Sequence, residues 1–385
     1  MNQALVFLTV LLLAPLGVLQ AGDAPITNRV AADVSAFKSR LLATTTRHLN
    51  LLLTADGEVV SLKGKTGEGE AAFAFYLTFE AAGDQRYRRA ALTLADRVLK
   101  NMRATKFGVL PIKEKEKPDG KTILGGGPPA LGFYTANVAY ILHQEGGRND
   151  DLIYLAKVID AYPWNTNGWW SADIDVKTGE SKNPMSKPSP NNKTAAVAMA
   201  AGMLSEALRS IDSELAARLK QKTDQCLYHQ VIPAQAEDGF WHYSLSGNDP
   251  KDKDILGYFM LTTQVLMELQ RFNPAYCEPK LDAAIQKAQI FALNCIAPMT
   301  DPNTNVACAT HTTPSTPRHY TLTDEPKRGF ELGLILIGGG HFDEGIKIMD
   351  ASLTHFPFGN TGQSGAHAAA PAAVILSRLK SCSMR

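Results

Sequence analysis

Three stretches of the chain concentrate side chains able to move protons or to offer flat apolar surfaces. The densest is EDGFWHYSLSGNDPKDKD (237–254). Asp238 and Gly239 suit a turn, Trp241 and Tyr243 present ring faces, His242 is a proton carrier near neutral pH, and Asp254 closes the stretch. The second, WNTNGWWSADIDVKTGE (164–180), holds three of the four tryptophans, Trp170 among them, with Asp173 and Asp175 two residues apart. Strand-like alternation through SADIDV predicts both carboxylates on one side. Paired carboxylates are what hydrolysis of a glycosidic bond requires, one protonating the leaving oxygen while the other acts on water or the anomeric carbon. The third, TPSTPRHYTLTDEPKRGFE (313–331), sets a cation, a base and an acid in sequence at Arg318, His319 and Tyr320. Each stretch also has a plainer reading. Phe240 and Trp241 can anchor a long loop, DVKTGE can be a solvated hairpin turn, and residues 313–331 can be an exposed charged loop.

The elements that must position these groups are helices. About twelve segments carry apolar residues at spacings of three and four. Six are amphipathic and charged, at 35–53, 84–102, 150–162, 212–230, 279–295 and 342–356, and suit an outer layer wet on one face. Six others, at 67–82, 130–144, 192–208, 254–269, 328–340 and 362–379, are apolar or small nearly all round and suit burial. The two kinds alternate. So do the joints: 81–87, 145–150, 209–213 and 338–343 are tight, whereas 104–130, 162–192, 231–253 and 297–327 are long. In a closed ring of helical hairpins every second connection emerges on one face, so one end carries turns and the other a crown of loops around a hollow. The first turns of the buried helices then converge on that rim. They supply Tyr134 and Asn137, Asn191, Asn192 and Lys193, Asp254 and Tyr258, Arg328 and Glu331, His367, and Glu68 and Glu70. Acidic residues and Asn in a first turn are also ordinary caps. Six helix N-termini facing one hollow favour negative charge there, which leans towards an anionic ligand.

Six outer and six inner helices in this order, with aromatic-acidic loop phrases such as DGFWHYS (238–244), resemble the (α/α)6 toroids of the six-hairpin glycosidase and toroid polysaccharide-lyase superfamily. The resemblance spans essentially the whole chain after its first twenty-odd residues and lies in architecture. It implies an all-α single domain over 22–385 and a carbohydrate substrate. Cleavage of a glycosidic bond in an acidic poly- or oligosaccharide is the activity expected. For hydrolysis the acid and base would come from Asp173 or Asp175 and Asp238 or Asp254, with Trp170 and Trp241 as sugar platforms. The alternative is β-elimination, as in uronate lyases, which neutralise a carboxylate with Arg or Asn and use His or Tyr to move protons. His242 and Tyr243, or Arg318, His319 and Tyr320, would then act. Tyr134, Asn137, Tyr258, Arg328 and His367 complete the expected binding set. A noncatalytic glycan-binding protein would keep the groove and lose the carboxylates.

Other chemistries find no support. A net charge of +1 with no basic stripe argues against nucleic acid. No phosphate loop, dinucleotide fingerprint, H-E-x-x-H or G-x-S-x-G is present, and no cofactor or metal is expected. Residues 4–19 form an uncharged apolar run ending in small residues, which reads as a signal peptide over 1–21 and predicts a secreted or periplasmic protein with no membrane association once it is removed. Five cysteines, at 226, 277, 295, 308 and 382, leave at least one unbridged; Cys295 with Cys308 would close a short loop.

Overall fold

The structure, a computed structural model, describes residues 24–60, 67–110, 114–116, 122–124, 128–181, 184–245, 256–294, 299–300, 307–313, 316–321 and 326–355. Within them, helices of two kinds alternate. The outer set is α1 (Ala24–Asn50), α3 (Gln85–Arg103), α5 (Asn149–Ala161), α7 (Ser213–Cys226), α9 (Pro279–Asn294) and α11 (Phe342–His355). The inner set is α2 (Gly67–Ala82), α4 (Pro128–Glu145), α6 (Asn191–Ala207), α8 (Leu256–Phe272) and α10 (Pro326–Gly338). The sixth expected inner segment, 362–379, lies outside the described residues, as do 1–21 and Cys295.

Side-chain pattern sorts the two sets. On α3 the residues Tyr87, Ala90, Ala91, Leu94, Ala95, Val98, Leu99 and Met102 are buried, a stripe at spacings of three and four with Arg and Lys opposite. Asp84 caps its start by accepting a hydrogen bond from the Arg86 N–H at 2.9 Å. On α6 every residue is buried except Lys193 and Glu206, so this helix is surrounded by protein on all sides. Inner helices pack in succession, α2 on α4, α4 on α6, α6 on α8 and α8 on α10, and each is also followed by an outer helix in a hairpin. The small residues allow close approach. A Cβ on Gly132 of α4 would stand 2.3 Å from the Ala196 carbonyl oxygen of α6, so only glycine fits that crossing. Outer helices α1 and α11, far apart in sequence, meet through packing and an Arg40–Asp350 ion pair at 3.2 Å, which closes the ring.

Connections from inner to outer helix are short, two residues between α2 and α3 and three between α10 and α11. Those from outer to inner helix are long and hold all the strands: β1 (Glu114–Glu116) with β2 (Thr122–Leu124), β3 (Trp164–Asn165) with β4 (Trp169–Trp170), and an antiparallel sheet of β5 (Met299–Thr300), β6 (Ala307–Thr313) and β7 (Thr316–Thr321). Two elements differ from the sequence reading. The expected loop at 313–331 is in large part a strand and a helix: β7 pairs with β6, placing Arg318 opposite His311, His319 opposite Thr310 and Tyr320 opposite Ala309, and α10 begins at Pro326. Residues 212–230 are not one α-helix, because α7 ends at Cys226 and widens into a π-turn over Leu227–Val231.

Candidate active site

On helices buried all round, the few partly exposed residues of their N-terminal halves mark the stripe that faces the hollow. These are Glu70 on α2, Phe133 on α4, Lys193 on α6, Tyr258 and Leu261 on α8, and Glu331 on α10, with Asn137 one turn below Phe133 at 8% exposure. All lie near the loop-bearing end. The loops are tied down there by the start of α6. This helix has no side-chain cap of its own. Instead the Asn191 N–H donates to the Tyr243 carbonyl at 2.8 Å, and Asn191 Nδ2 donates to the His242 carbonyl at 2.7 Å. Gln230, carried inward by the π-turn, donates to Asn191 Oδ1 at 3.0 Å and to the Ser189 carbonyl at 2.6 Å. One asparagine therefore fixes the backbone of both His242 and Tyr243. The Tyr243 ring lies 4.9 Å from that of Tyr258, which brings it against the hollow-facing stripe.

Asp173 joins this junction through Lys193, whose Nζ donates to Asp173 Oδ2 at 3.1 Å in a largely enclosed pair. Behind it, Tyr162 and Tyr134 are buried, and burial pushes both phenols up, with the Asp173 carboxylate adding to the effect at Tyr162. Enclosed polar atoms without a hydrogen-bond partner are frequent in the segments that form this junction. Of nine such side-chain atoms among the described residues, six belong to Trp169, Trp170, Asn192, Tyr228, Gln230 and His242. Native proteins pair nearly all buried polar atoms, so these atoms call for ordered water or a bound molecule as partner.

The structure redistributes the residues expected from sequence. Trp170 is fully buried and cannot offer a face to a sugar; its ring packs 4.4 Å from that of Trp164 and its backbone N–H donates to Thr194 Oγ1 at 3.1 Å. Trp241 is 2% exposed, with its indole N–H on Thr263 Oγ1 at 3.0 Å, so it too is core rather than platform. Tyr134 is 1% exposed, and its hydroxyl accepts from the Leu110 N–H to hold the loop after α3. Asp175 does not share a role with Asp173: it folds back to accept from the N–H groups of Lys177 at 2.7 Å and Thr178 at 3.2 Å. Asp238 accepts from the Phe240 N–H, and the turn it caps rests on α9 of the outer layer, where a Cβ on Gly239 would lie 2.2 Å from the Lys287 carbonyl oxygen. Asp238 and Asp175 are turn-forming residues. Arg318, His319 and Tyr320 lie on β7 and Arg328 in the first turn of α10. Asp254 and His367 lie outside the described residues. The expected set thus reduces, at the α6 junction, to Asp173, His242, Tyr243 and Tyr258, with Asn137 apart on α4. Gln230 was missed, because its inward position depends on a π-turn.

No protein-family model matches the sequence, and no curated relative matches it by sequence. Solved structures do match in shape. Cellobiose 2-epimerase from Spirochaeta thermophila superposes with a TM-score of 0.56 at 12% identity, covering 95% of this chain and 100% of that one. D-mannose isomerase gives 0.55 at 12% identity over 90% and 98% of the two chains, and a sugar epimerase from a ruminal bacterium 0.52 at 11% over 83% and 85%. The chain is an (α/α)6 toroid. The likeness shows the fold of this toroid and nothing of its chemistry, since one fold carries many reactions.

Proposed function

We propose that this toroid is a carbohydrate-processing enzyme that breaks a glycosidic bond in an acidic glycan at the loop-crowned mouth of the hollow. The reaction that the site supports best is β-elimination. The carrying observation is that Asn191, two positions before Lys193 on α6, holds the backbone carbonyls of both His242 and Tyr243, and that the Tyr243 ring packs on Tyr258. Lys193 and the N-terminus of α6 supply positive potential for a uronate carboxylate. In this reading His242 takes the proton from the carbon bearing that carboxylate. A carbon–carbon double bond then forms as the bond to the departing oxygen breaks, and Tyr243 returns a proton to that oxygen. The fold likeness to sugar epimerases and a sugar isomerase is consistent with a carbohydrate substrate.

Hydrolysis is the second reading, favoured by Glu70 and Glu331, two carboxylates on the hollow-facing stripe. The test is turnover of the chain from residue 22 onward against a panel of uronic-acid polysaccharides, following new reducing ends and ultraviolet absorbance together. Reducing ends with rising absorbance support elimination. Reducing ends without absorbance move the assignment to the glutamates. Absence of both on every member of the panel refutes the reading and leaves a binding protein.

A further inference from the structure

A cavity of about 440 Å³ opens outside the hollow, between the C-terminal ends of outer helices α3 and α5 and the loops that follow them. Its lining includes Arg103, Lys106 and Lys157 and, among the described residues, no aspartate or glutamate. Its walls are aromatic and apolar, with Phe107, Tyr154 and Tyr162 prominent. The walls are fixed in place. Gly179, with a φ of +78°, lies against the Phe107 ring, where a Cβ would stand 2.7 Å away, and Arg103 lies over the Tyr154 ring at 4.6 Å.

The charge of two of the three cations in this cavity is not neutralised by a neighbouring carboxylate among the described residues. Arg103 pairs with Asp151 at 2.6 Å. Asp160, on the same helix as Lys157, is already held by Arg218 and Lys222. Lys106 lies 5.0 Å from the centre of the Phe107 ring, and neither Lys106 nor Lys157 meets a carboxylate among the described residues. Two exposed ammonium groups over an aromatic floor therefore await an anion with a ring. The flat C–H face of a sugar packs on such a floor while its carboxylate reaches the lysines.

We propose that this cavity is a second carbohydrate site, taking one carboxylate-bearing sugar residue and anchoring an acidic glycan beside the hollow. The choice of ligand rests on the acidic-glycan reading above, whereas the site itself does not need the hollow to be catalytic. It is also connected to the hollow: Ile174 lines the cavity and its chain neighbour Asp173 pairs with Lys193 at the mouth.

The test is titration of sodium glucuronate, with glucose as the neutral control, into the Lys193→Ala variant, which removes the cation proposed to hold a carboxylate in the hollow. Saturation-transfer nuclear magnetic resonance reads binding in the millimolar range. Glucuronate should bind and glucose should not, and adding Lys106→Glu with Lys157→Glu should weaken binding by about tenfold or more. Both lysines are exposed, so these changes leave the fold intact, which circular dichroism checks. Equal binding with and without the two lysines, equal binding of glucose, or no binding at all would overturn the proposal. Turnover is measured separately. A protein inert towards every acidic polysaccharide that still binds glucuronate through Lys106 and Lys157 would sink the catalytic reading and keep this site.

Discussion

The two ends of the toroid solve opposite problems with similar residues. At the turn end, charged and phenolic groups between helices are matched to one another, with one guanidinium nitrogen of Arg271 the exception. Arg271 pairs with Glu268 and lies 5.5 Å from the Tyr140 ring, and Tyr140 in turn donates to Glu80 at 3.0 Å. Tyr76 donates to Glu145 at 2.9 Å, and Arg88 holds the same carboxylate. The inner helices end here, so Arg271 also offsets the negative ends of their dipoles. At the loop end the helices begin, the connections are long, and enclosed polar atoms of Asn192 and His242 have no partner. The paired end holds the ring together. The other end carries buried polar atoms that ordered water or a bound molecule must complete.

The largest expected effect tests the loop end. His242→Gln should reduce turnover by about 10²- to 10⁴-fold, the range for loss of a general acid or base. Melting temperature should stay within roughly two degrees, because the backbone contact to Asn191 is kept. Unchanged turnover on a confirmed substrate breaks the functional half of the comparison. Tyr243→Phe keeps the ring against Tyr258 and should lose turnover with little change in KM, whereas a purely packing role would leave both constants unaltered.

The turn end should behave in the reverse way. Arg271→Ala leaves Glu268 enclosed without its partner and should cost about 3 kcal/mol in denaturant unfolding. Replacing both residues, by Arg271→Met with Glu268→Gln, should cost much less, since the penalty comes from the stranded charge. Neither change should alter the ratio of turnover to binding. A turnover defect in a well-folded Arg271→Ala variant would show that the two ends are coupled.

A smaller effect is expected at Glu145. The hydrogen bond from Arg88, followed by that from Tyr76, holds this carboxyl below its ordinary range against the opposing effect of burial. A carboxylate with a lowered folded pKa adds stability above its unfolded value and loses it as pH falls through the folded one. Stability should therefore fall on acidification below about pH 4, and Glu145→Gln should flatten that limb by about 1 kcal/mol or less, because Arg88 is partly exposed. An unchanged acid limb in the variant would remove this pair from the account of the turn end.

Architecture was legible because it depends on pattern. Alternation of charged and apolar helices, and of short and long joints, follows from which faces must be buried, and each inner helix shows it; α6 is the clearest, with Lys193 and Glu206 its two residues that are not buried. The phrase containing His242 and Tyr243 was also legible as a dense polar-aromatic run. What could not be read was which way individual groups face. A tryptophan is equally suited to a sugar platform and to a core, and only the tertiary contact of Trp241 with Thr263, or of Trp170 with Trp164, decides. The Asp173–Lys193 pair joins residues twenty positions apart on a loop and a helix, and no local period encodes it. Gln230 reaches Asn191 only because α7 widens into a π-turn, a feature without a propensity signal.

The two ends differ once more in their cysteines, and this gives the smallest and most local test. Cys226 closes α7 beneath the loop end, fully buried, with its sulfur 3.4 Å from Thr194 Oγ1; burial pushes its thiol up to about 12. Cys277 lies in the short connection between α8 and α9 at the turn end and is exposed. The thiolate is the reactive form, so both access and ionisation disfavour Cys226. With iodoacetamide at pH 8, peptide mass mapping should show Cys277 alkylated within minutes. Cys226 should remain protected until denaturant is added. Alkylation of Cys226 at a comparable rate in the native protein would mean that the layer beneath the mouth opens on that timescale. The junction of Asn191, Gln230 and Thr194 would then be too mobile to hold His242 and Tyr243 in place, and the contrast between a fixed scaffold and an unfilled site would fail at its centre.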